Sequence, residues 1–332
     1  MQRFAELFRS AQQTMEQCRV QPDEKVVVFA DSGKSPALVE AFYTAALATG
    51  AETVRVQMTT RPQPLMNPPE SAIQAMIEAD VVFDLATNAW LYTDATNRIL
   101  DSGTRMLQVL VGEETVIERP PNDTVRRREE MAIKVLGDCK TFRITSDDGT
   151  DLVMERGDRP VHTQGGSVDH PGDWDSIGVC LGAFAPLEHS ANGTIVFNGT
   201  LYLPSQHLFR VERPIEAEVK DGRITQINAD HREAKILDEW LRSWDDPNSY
   251  VIAHTGFGID DRAKLLPPDP GNWESYLAGV NVAFGGNKIP QLQGATESKS
   301  HFDAILLGVT VELDGTRVIE GGQFAAGTGL ES

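Results

Sequence analysis

Lys25-Val26-Val27-Val28-Phe29-Ala30 decides the architecture of the first half of this chain. The run is short, apolar and β-branched, which reads as a strand buried on both faces. A polar turn, Asp31-Ser32-Gly33-Lys34-Ser35, follows it. Pro36 to Thr49 then reads as a helix, with Pro near its start and Gly50 just past its end. The same couplet recurs downstream. Thr53 to Met58, Val81 to Ala86, Arg105 to Val111 and Thr141 to Thr145 read as strands. Ser71 to Ala79, Thr93 to Ser102 and Val125 to Leu136 read as the helices between them. Upstream, Phe4, Leu7, Phe8, Ala11 and Met15 keep helical spacing. Apolar strands alternating with helices imply a parallel sheet covered on both faces. The expectation is an N-terminal Rossmann-like α/β domain over residues 1–145.

From about Ser146 the pattern changes. Asp148-Gly149, Asn192-Gly193, Asn198-Gly199, Asp221-Gly222 and Asp314-Gly315 are hairpin signals between short β runs. Thr194 to Leu203, Ile215 to Val219 and Arg223 to Asn228 read as strands. Arg232 to Trp244 is the one clear helix, with Ala234, Ile236, Leu237, Trp240 and Leu241 as its apolar face. Residues 146–332 are therefore expected to form a mostly antiparallel β (α+β) domain. The fold class is α/β in the first part and α+β in the second.

The chain has 332 residues, 40% of them hydrophobic, which suffices for two domains with real cores. Net charge is -19, from 49 Asp+Glu against 30 Lys+Arg. With no basic surface to neutralise phosphate, nucleic acid and anionic membranes are excluded as expected partners. No apolar run reaches membrane-spanning length, and the charged N-terminus lacks a signal-peptide core. Cys18, Cys139 and Cys180 are odd in number and widely spaced, so no disulfide framework or Cys-x-x-Cys site is expected. A cytoplasmic location follows as the expectation.

Two turns invite chemistry. Asp31 to Ser35 lies between strand and helix, but a phosphate-binding loop needs Gly five residues before Gly33, and Val28 stands there. A strand-to-helix turn is the better reading, and no Gly-x-Gly-x-x-Gly follows any N-terminal strand. His301-Phe302-Asp303 is harder to explain as structure. Residues two apart on a strand share a face, so both side chains can reach one metal ion. Ala304-Ile305-Leu306-Leu307 takes that strand into a core, where a carboxylate needs a partner or a metal. The polar, Gly-rich segment Gly285 to Ser300 precedes it and reads as an active-site loop. His254, ending the apolar run Tyr250 to Ala253 and followed by Gly256 and Gly258, is the third candidate ligand. Taken alone it reads equally well as a core-edge histidine bonded to backbone. Two His and one carboxylate on one side of an ion match the ligand set of non-haem Fe(II) oxygenases.

Other candidates are weaker. Glu188 and His189 lie in a polar cluster, Pro186 to Gly193, between strands, and either serves a solvated turn or proton transfer. Tyr92 follows an apolar strand and its loop, where α/β sheets present groups to ligands, or packs as an aromatic at a helix start. Arg262 and Lys288 are cations that either hold anionic substrate oxygens or decorate the surface. His170 to Asp175 is a candidate substrate-side loop, while His162, His170, His207 and His231 individually carry no assignment.

At these residues the chain resembles the thermophilic (M29-type) aminopeptidases over most of its length. The marks are Glu188-His189-Ser190-Ala191-Asn192-Gly193-Thr194, Gly256-Phe257-Gly258, Ala283-Phe284-Gly285 and His301-Phe302-Asp303. Those peptidases hold two metal ions. The resemblance places His254 where they carry a Glu before Gly-x-Gly, and Leu181 and Asn281 where they carry a further Glu and His. A two-metal hydrolase is therefore not expected. The chain more closely resembles the 2,5-dihydroxypyridine 5,6-dioxygenases, whose His, Gly-x-Gly and His-x-Asp pattern falls on His254, His301 and Asp303. Pro171 to Asp175 also looks like theirs, while Tyr92 stands where they carry a proton-transferring His.

That resemblance implies a mononuclear Fe(II) enzyme that opens a hydroxylated N-heteroaromatic ring with O2. His254, His301 and Asp303 would be ligands, Tyr92 or His189 the proton-transfer group, and Glu188, Arg262 and Lys288 substrate contacts. It also implies a homo-oligomer. A metallo-aminopeptidase would instead need two Zn or Co ions and no O2. A non-catalytic binding protein built on the Rossmann-like half would bind its ligand without metal.

Overall fold

Lys25–Asp31 is a strand, and it runs parallel to both of its neighbours, Glu52–Met58 and Val81–Leu85. This computed structural model describes residues 2–63, 66–90, 93–203, 209–265, 270–289 and 291–331. They divide into two compact units, Met1–Arg126 with Gln164–Val179, and Arg127–Thr163 with Cys180–Ser332.

The sheet of the first unit continues from Val81–Leu85 to Arg105–Gln108 and then to Trp174–Ser176, again in parallel. The alternation of the founding strand is visible in its packing. Val26, Val28 and Ala30 join Leu7, Leu38 and Phe42 in one apolar cluster. Val27 and Phe29 join Ile73, Met76 and Ile99 in another. Helices Gln2–Gln17 and Pro36–Ala48 supply the first cover, and Glu70–Ile77 and Asp94–Asp101 the second. The Ser35 hydroxyl caps its helix by accepting the Leu38 N–H at 3.3 Å. The Lys34 ammonium donates to the carbonyls of Val109 and Val111, so this turn ties strand ends together.

Two boundaries differ from the sequence expectation. Trp174–Ser176 completes the parallel sheet, although it lies far along the chain in a loop-rich stretch. Thr141–Thr145, read above with the first half, pairs antiparallel with Asp151–Glu155 and Thr310–Leu313 in the second unit. Pairing partners distant in sequence set both, and local periodicity carries no information about them.

The second unit holds two sheets. One runs in the order Arg223–Ile227, Ile215–Lys220, Asn192–Phe197, Asp151–Glu155, Thr141–Thr145, Thr310–Leu313, Thr316–Glu320, Gln323–Phe324. The other runs Phe209–Arg210, Thr200–Tyr202, His301–Leu306, Val280–Gly285, Ile252–Gly258, Leu181–Phe184, His162–Gln164. Aromatic side chains join them. Phe142 of the first meets Phe184 of the second, with ring centres 5.6 Å apart. Phe197 meets Phe284 and Phe302, which stack on each other at 5.0 Å, and Trp240 of helix Arg232–Ser243 closes on Phe302. The expected single strand Thr194 to Leu203 is broken at Asn198-Gly199, and its halves enter different sheets. The Asn198 side chain enforces the break, donating to the Leu307 carbonyl and accepting the Leu307 N–H.

Asp84 is fully buried at the end of its strand in the first unit, accepting from the Ala86 N–H and the Gln108 amide. Burial pushes its carboxyl up to about 6, against those hydrogen bonds. A raised folded-state pKa contributes stability that is complete below the unfolded value near 4 and is lost as pH rises through about 6. Asp84→Asn should abolish that loss. Urea unfolding of variant and wild type should show their stability difference shifting in the variant's favour between pH 4 and 6, by at most about 1.4 kcal/mol per pH unit, and flat above.

Candidate metal centre

Phe302 points into the sandwich, so His301, Asp303 and Ile305 point to the opposite face of the same strand. The neighbouring strand repeats this division: Phe284 points inward, and Asn281, Ala283 and Gly285 outward. Ladder register sets Gly285 opposite His301 and Ala283 opposite Asp303. On the other side of that strand, His254 also stands opposite Ala283. Both His254 and Asp303 therefore flank one small residue on one face.

His254 reaches this face through a bulge. Ile252 pairs with Phe284 on the core side, and strict alternation would send His254 the same way. The register slips between Ile252 and His254, which turns His254 outward. The strand does not end at His254 as the sequence reading had it, but continues to Gly258. The bulged Ala253 carbonyl accepts a hydrogen bond from the amide of Asn287, at 3.1 Å. Asn287 is itself buried, and its side-chain oxygen takes the Thr296 N–H at 2.9 Å.

The segment after Gly285 is thus built into the site. Gly285 has φ +108, and a Cβ there would lie 2.2 Å from the Ser300 carbonyl, so no side chain fits. The carbonyl of Gly286 accepts from Nδ1 of His301 at 2.9 Å, leaving Nε2 facing Asp303 and able to bind a metal. Further along, the Ala295 N–H donates to Glu188, and Ser298 and Lys299 donate to Asp246.

Nε2 of His254 lies 3.3 Å and Nε2 of His301 3.5 Å from the same Asp303 oxygen. The two rings lie 5.3 Å apart and nearly parallel. All three ligand atoms fall within 4.8 Å of one another. Ligands at about 2.1 Å from an ion and at near-right angles to each other stand roughly 3 Å apart, so the spacing suits one ion. Burial opposes the charge of Asp303, yet His301 and His254 hold its carboxyl far below the usual carboxylate range. Burial likewise opposes protonation of His301, but Asp303 and the Gly286 carbonyl raise it.

Two residues not singled out by the sequence reading border the centre. Tyr202 stands directly opposite Asp303 on the next strand, half-buried on the same face. Burial raises its pKa, with Asp303 and Glu274 adding to the effect. His162 lies on the edge strand of this sheet, and burial together with the nearby His254 pushes it down to about 4. That shift favours the neutral imidazole. Neither residue carries a local signal, because each is brought here by strand pairing.

The remaining candidates have other company. Glu188 forks onto Arg159, with oxygens 2.8 and 2.7 Å from one guanidinium nitrogen. His189 is exposed in the turn beside it. Arg262 grips the buried carboxylate of Asp260 through Nε at 2.9 Å. Lys288 is exposed and pairs with exposed Glu297. Tyr92 lies outside the described residues. Among the described residues a second acidic group, Asp169, His170 and Asp173, has ligand-like spacing. There Asp169 is already neutralised by Arg126 and Arg19. No helix of the described residues is long and apolar enough to cross a membrane.

Comparison with known proteins identifies the family. A 2,5-dihydroxypyridine 5,6-dioxygenase from Pseudomonas putida KT2440 is 29% identical over 263 residues, 77% of this chain and 74% of the relative. The solved structure of 2,5-dihydroxypyridine dioxygenase from the same organism superposes with a TM-score of 0.88 at 24% identity, covering 98% of this chain and 99% of that one. AmpT from Thermus thermophilus shares the fold more distantly, with a TM-score of 0.68 at 16% identity over 97% of this chain and 99% of that one. The sequence pattern of the 2,5-dihydroxypyridine 5,6-dioxygenase (NicX) family matches residues 6–326, nearly the full length, and the chain belongs to that family.

Proposed function

We propose that this protein opens the ring of a hydroxylated N-heteroaromatic such as 2,5-dihydroxypyridine with O2, using one Fe(II) held by His254, His301 and Asp303. The observation that carries the reading is the convergence of these three ligand atoms on one sheet face, in a chain of this family. Two imidazoles and one carboxylate leave the other side of an ion open for substrate and O2. When bound, Fe(II) would supply a Lewis acid for the substrate's ionised oxygen and a path for electrons from ring to O2.

The chain's own part is preparation. Asp303 contributes one negative charge and stays ionised. The Gly286 carbonyl fixes the ring of His301, and Asn287 holds the bulge that aims His254. Ala283 and Gly285 keep side-chain bulk away from the two ligands opposite them. Glu188 acts in this proposal by pinning the loop at Ala295 rather than by touching substrate. Lys288 holds only an exposed ion pair, worth little, so it can turn to an anionic substrate oxygen at small cost. Arg262 would have to share its guanidinium with Asp260. Proton removal from the substrate hydroxyl falls to Tyr92, on the resemblance described above, or to His189.

The aminopeptidase reading fares worse on the same face. Leu181 stands opposite Gly258 and Asn281 opposite Gly256, an apolar and a neutral group where further ligands would be needed. Among the described residues, the ligand cluster on that face contains one carboxylate, Asp303.

Protein purified under nitrogen and loaded with Fe(II) should consume O2 with 2,5-dihydroxypyridine in equal amounts. His254→Ala should lose Fe(II) and activity by more than about 100-fold, since loss of outer partners alone costs about 10–100-fold. Unchanged circular dichroism would show the fold intact. Full turnover in that variant, or in the presence of an iron chelator, would sink the proposal. Zn-dependent peptide release without O2 uptake would favour the peptidase. Asp303→Asn keeps shape and removes charge; it should bind Fe(II) at least as poorly as His254→Ala, measured by competition with a chromophoric chelator.

A further inference from the structure

Asn281 is fully buried, and neither its side-chain oxygen nor its nitrogen has a hydrogen-bond partner. Leaving such groups unpaired costs about 1–3 kcal/mol, so an interior amide in this state calls for a partner that is not a protein atom. Nδ1 of His254 is in the same condition, buried and unpartnered. This contrasts with His301, whose Nδ1 donates to the Gly286 carbonyl. A histidine that binds a metal through one nitrogen nearly always donates the other to a carbonyl, a carboxylate or a water.

The ladder places the two groups together. His254 stands opposite Ala283 and Gly256 opposite Asn281, all on the outer face. These four positions form a square whose polar corners, His254 and Asn281, are diagonal neighbours. The other two corners are a methyl group and a glycine. A Cβ on Gly256 would lie 1.9 Å from the Gly182 carbonyl, so that corner admits no side chain. Nothing from the square itself fills the space between the imidazole and the amide.

We propose that a buried water occupies this space, accepting the Nδ1–H of His254 and bonding the amide of Asn281. His254 Nδ1 and one atom of the Asn281 amide then face it, within the range of two to four partners for an internal water. Asn281 is in this view a positioning residue. Through the water it fixes the tautomer and tilt of His254, as the Gly286 carbonyl does directly for His301. The inference rests on His254 being a ligand, as proposed above.

The test uses Asn281→Leu and Asn281→Asp in the full chain. Leu is close in shape and removes the unpaired polar atoms, so the metal-free variant should unfold at the wild-type temperature or higher. Its Fe(II) dissociation constant, from anaerobic chelator competition, should nonetheless rise about 10–100-fold. Asn281→Asp, which can still bond a water, should keep most of the affinity. Wild-type affinity in Asn281→Leu, with affinity lost in His254→Ala, would overturn the inference and leave the ligand set standing. Unchanged affinity in His254→Ala would instead overturn the ligand set. If Asn281→Leu fails to fold, a high-resolution crystal structure of the wild type decides. A water within hydrogen-bond distance of both groups supports the inference, and a dry gap overturns it.

Discussion

A carboxylate taken out of water must be compensated, and in this protein the compensation for Asp303 is two imidazoles rather than a lysine or arginine. That choice organises the second unit. Histidines compensate fully only as cations or around a metal ion, so their partners must be held at fixed distance without a flexible stem. Three adjacent strands do this. Their register is locked on the inner face by Phe284, Phe302 and Phe197, and on the outer face the same register brings His254, His301 and Asp303 together. Core and site are the two sides of one ladder. A cavity opened at Phe302 would reach both of its sequence neighbours, His301 and Asp303.

Much of this was legible in the sequence, for identifiable reasons. The Val26 to Ala30 run announced a buried strand because burial on both faces leaves no polar positions. His301 and Asp303 announced a shared face because strand periodicity is two. What the sequence hid was long-range pairing. Trp174–Ser176 is too short to signal a strand by itself and exists because Arg105–Gln108 offers an edge. Tyr202 and His162 approach the centre only through strand partners far away in sequence, whereas Asn287 lies in the polar segment already read as an active-site loop. The bulge was also silent: Tyr250 to Ala253 looked like a strand that stops, whereas it kinks and continues.

AmpT shares this fold at 16% identity, so the scaffold tolerates wide change in sequence. On its outward face this chain sets Leu181, His254 and Asn281 opposite Gly258, Ala283 and Gly256. Asn281 is a buried polar group on that face with no hydrogen-bond partner among the described residues. Function on this scaffold is set by side chains that contribute nothing to the sandwich core.

The slip between Ile252 and His254 has a further meaning. Because one extra backbone residue decides which side of the sheet His254 faces, the site depends on a count as well as on chemistry. Inserting one residue beside Ala253 would change no side chain of the triad, yet it would turn the imidazole toward the phenylalanines and leave Asp303 with a single imidazole. Point substitution can therefore retune this centre gradually. A change of length within these strands acts all at once, and variation in length should be confined to the connecting loops.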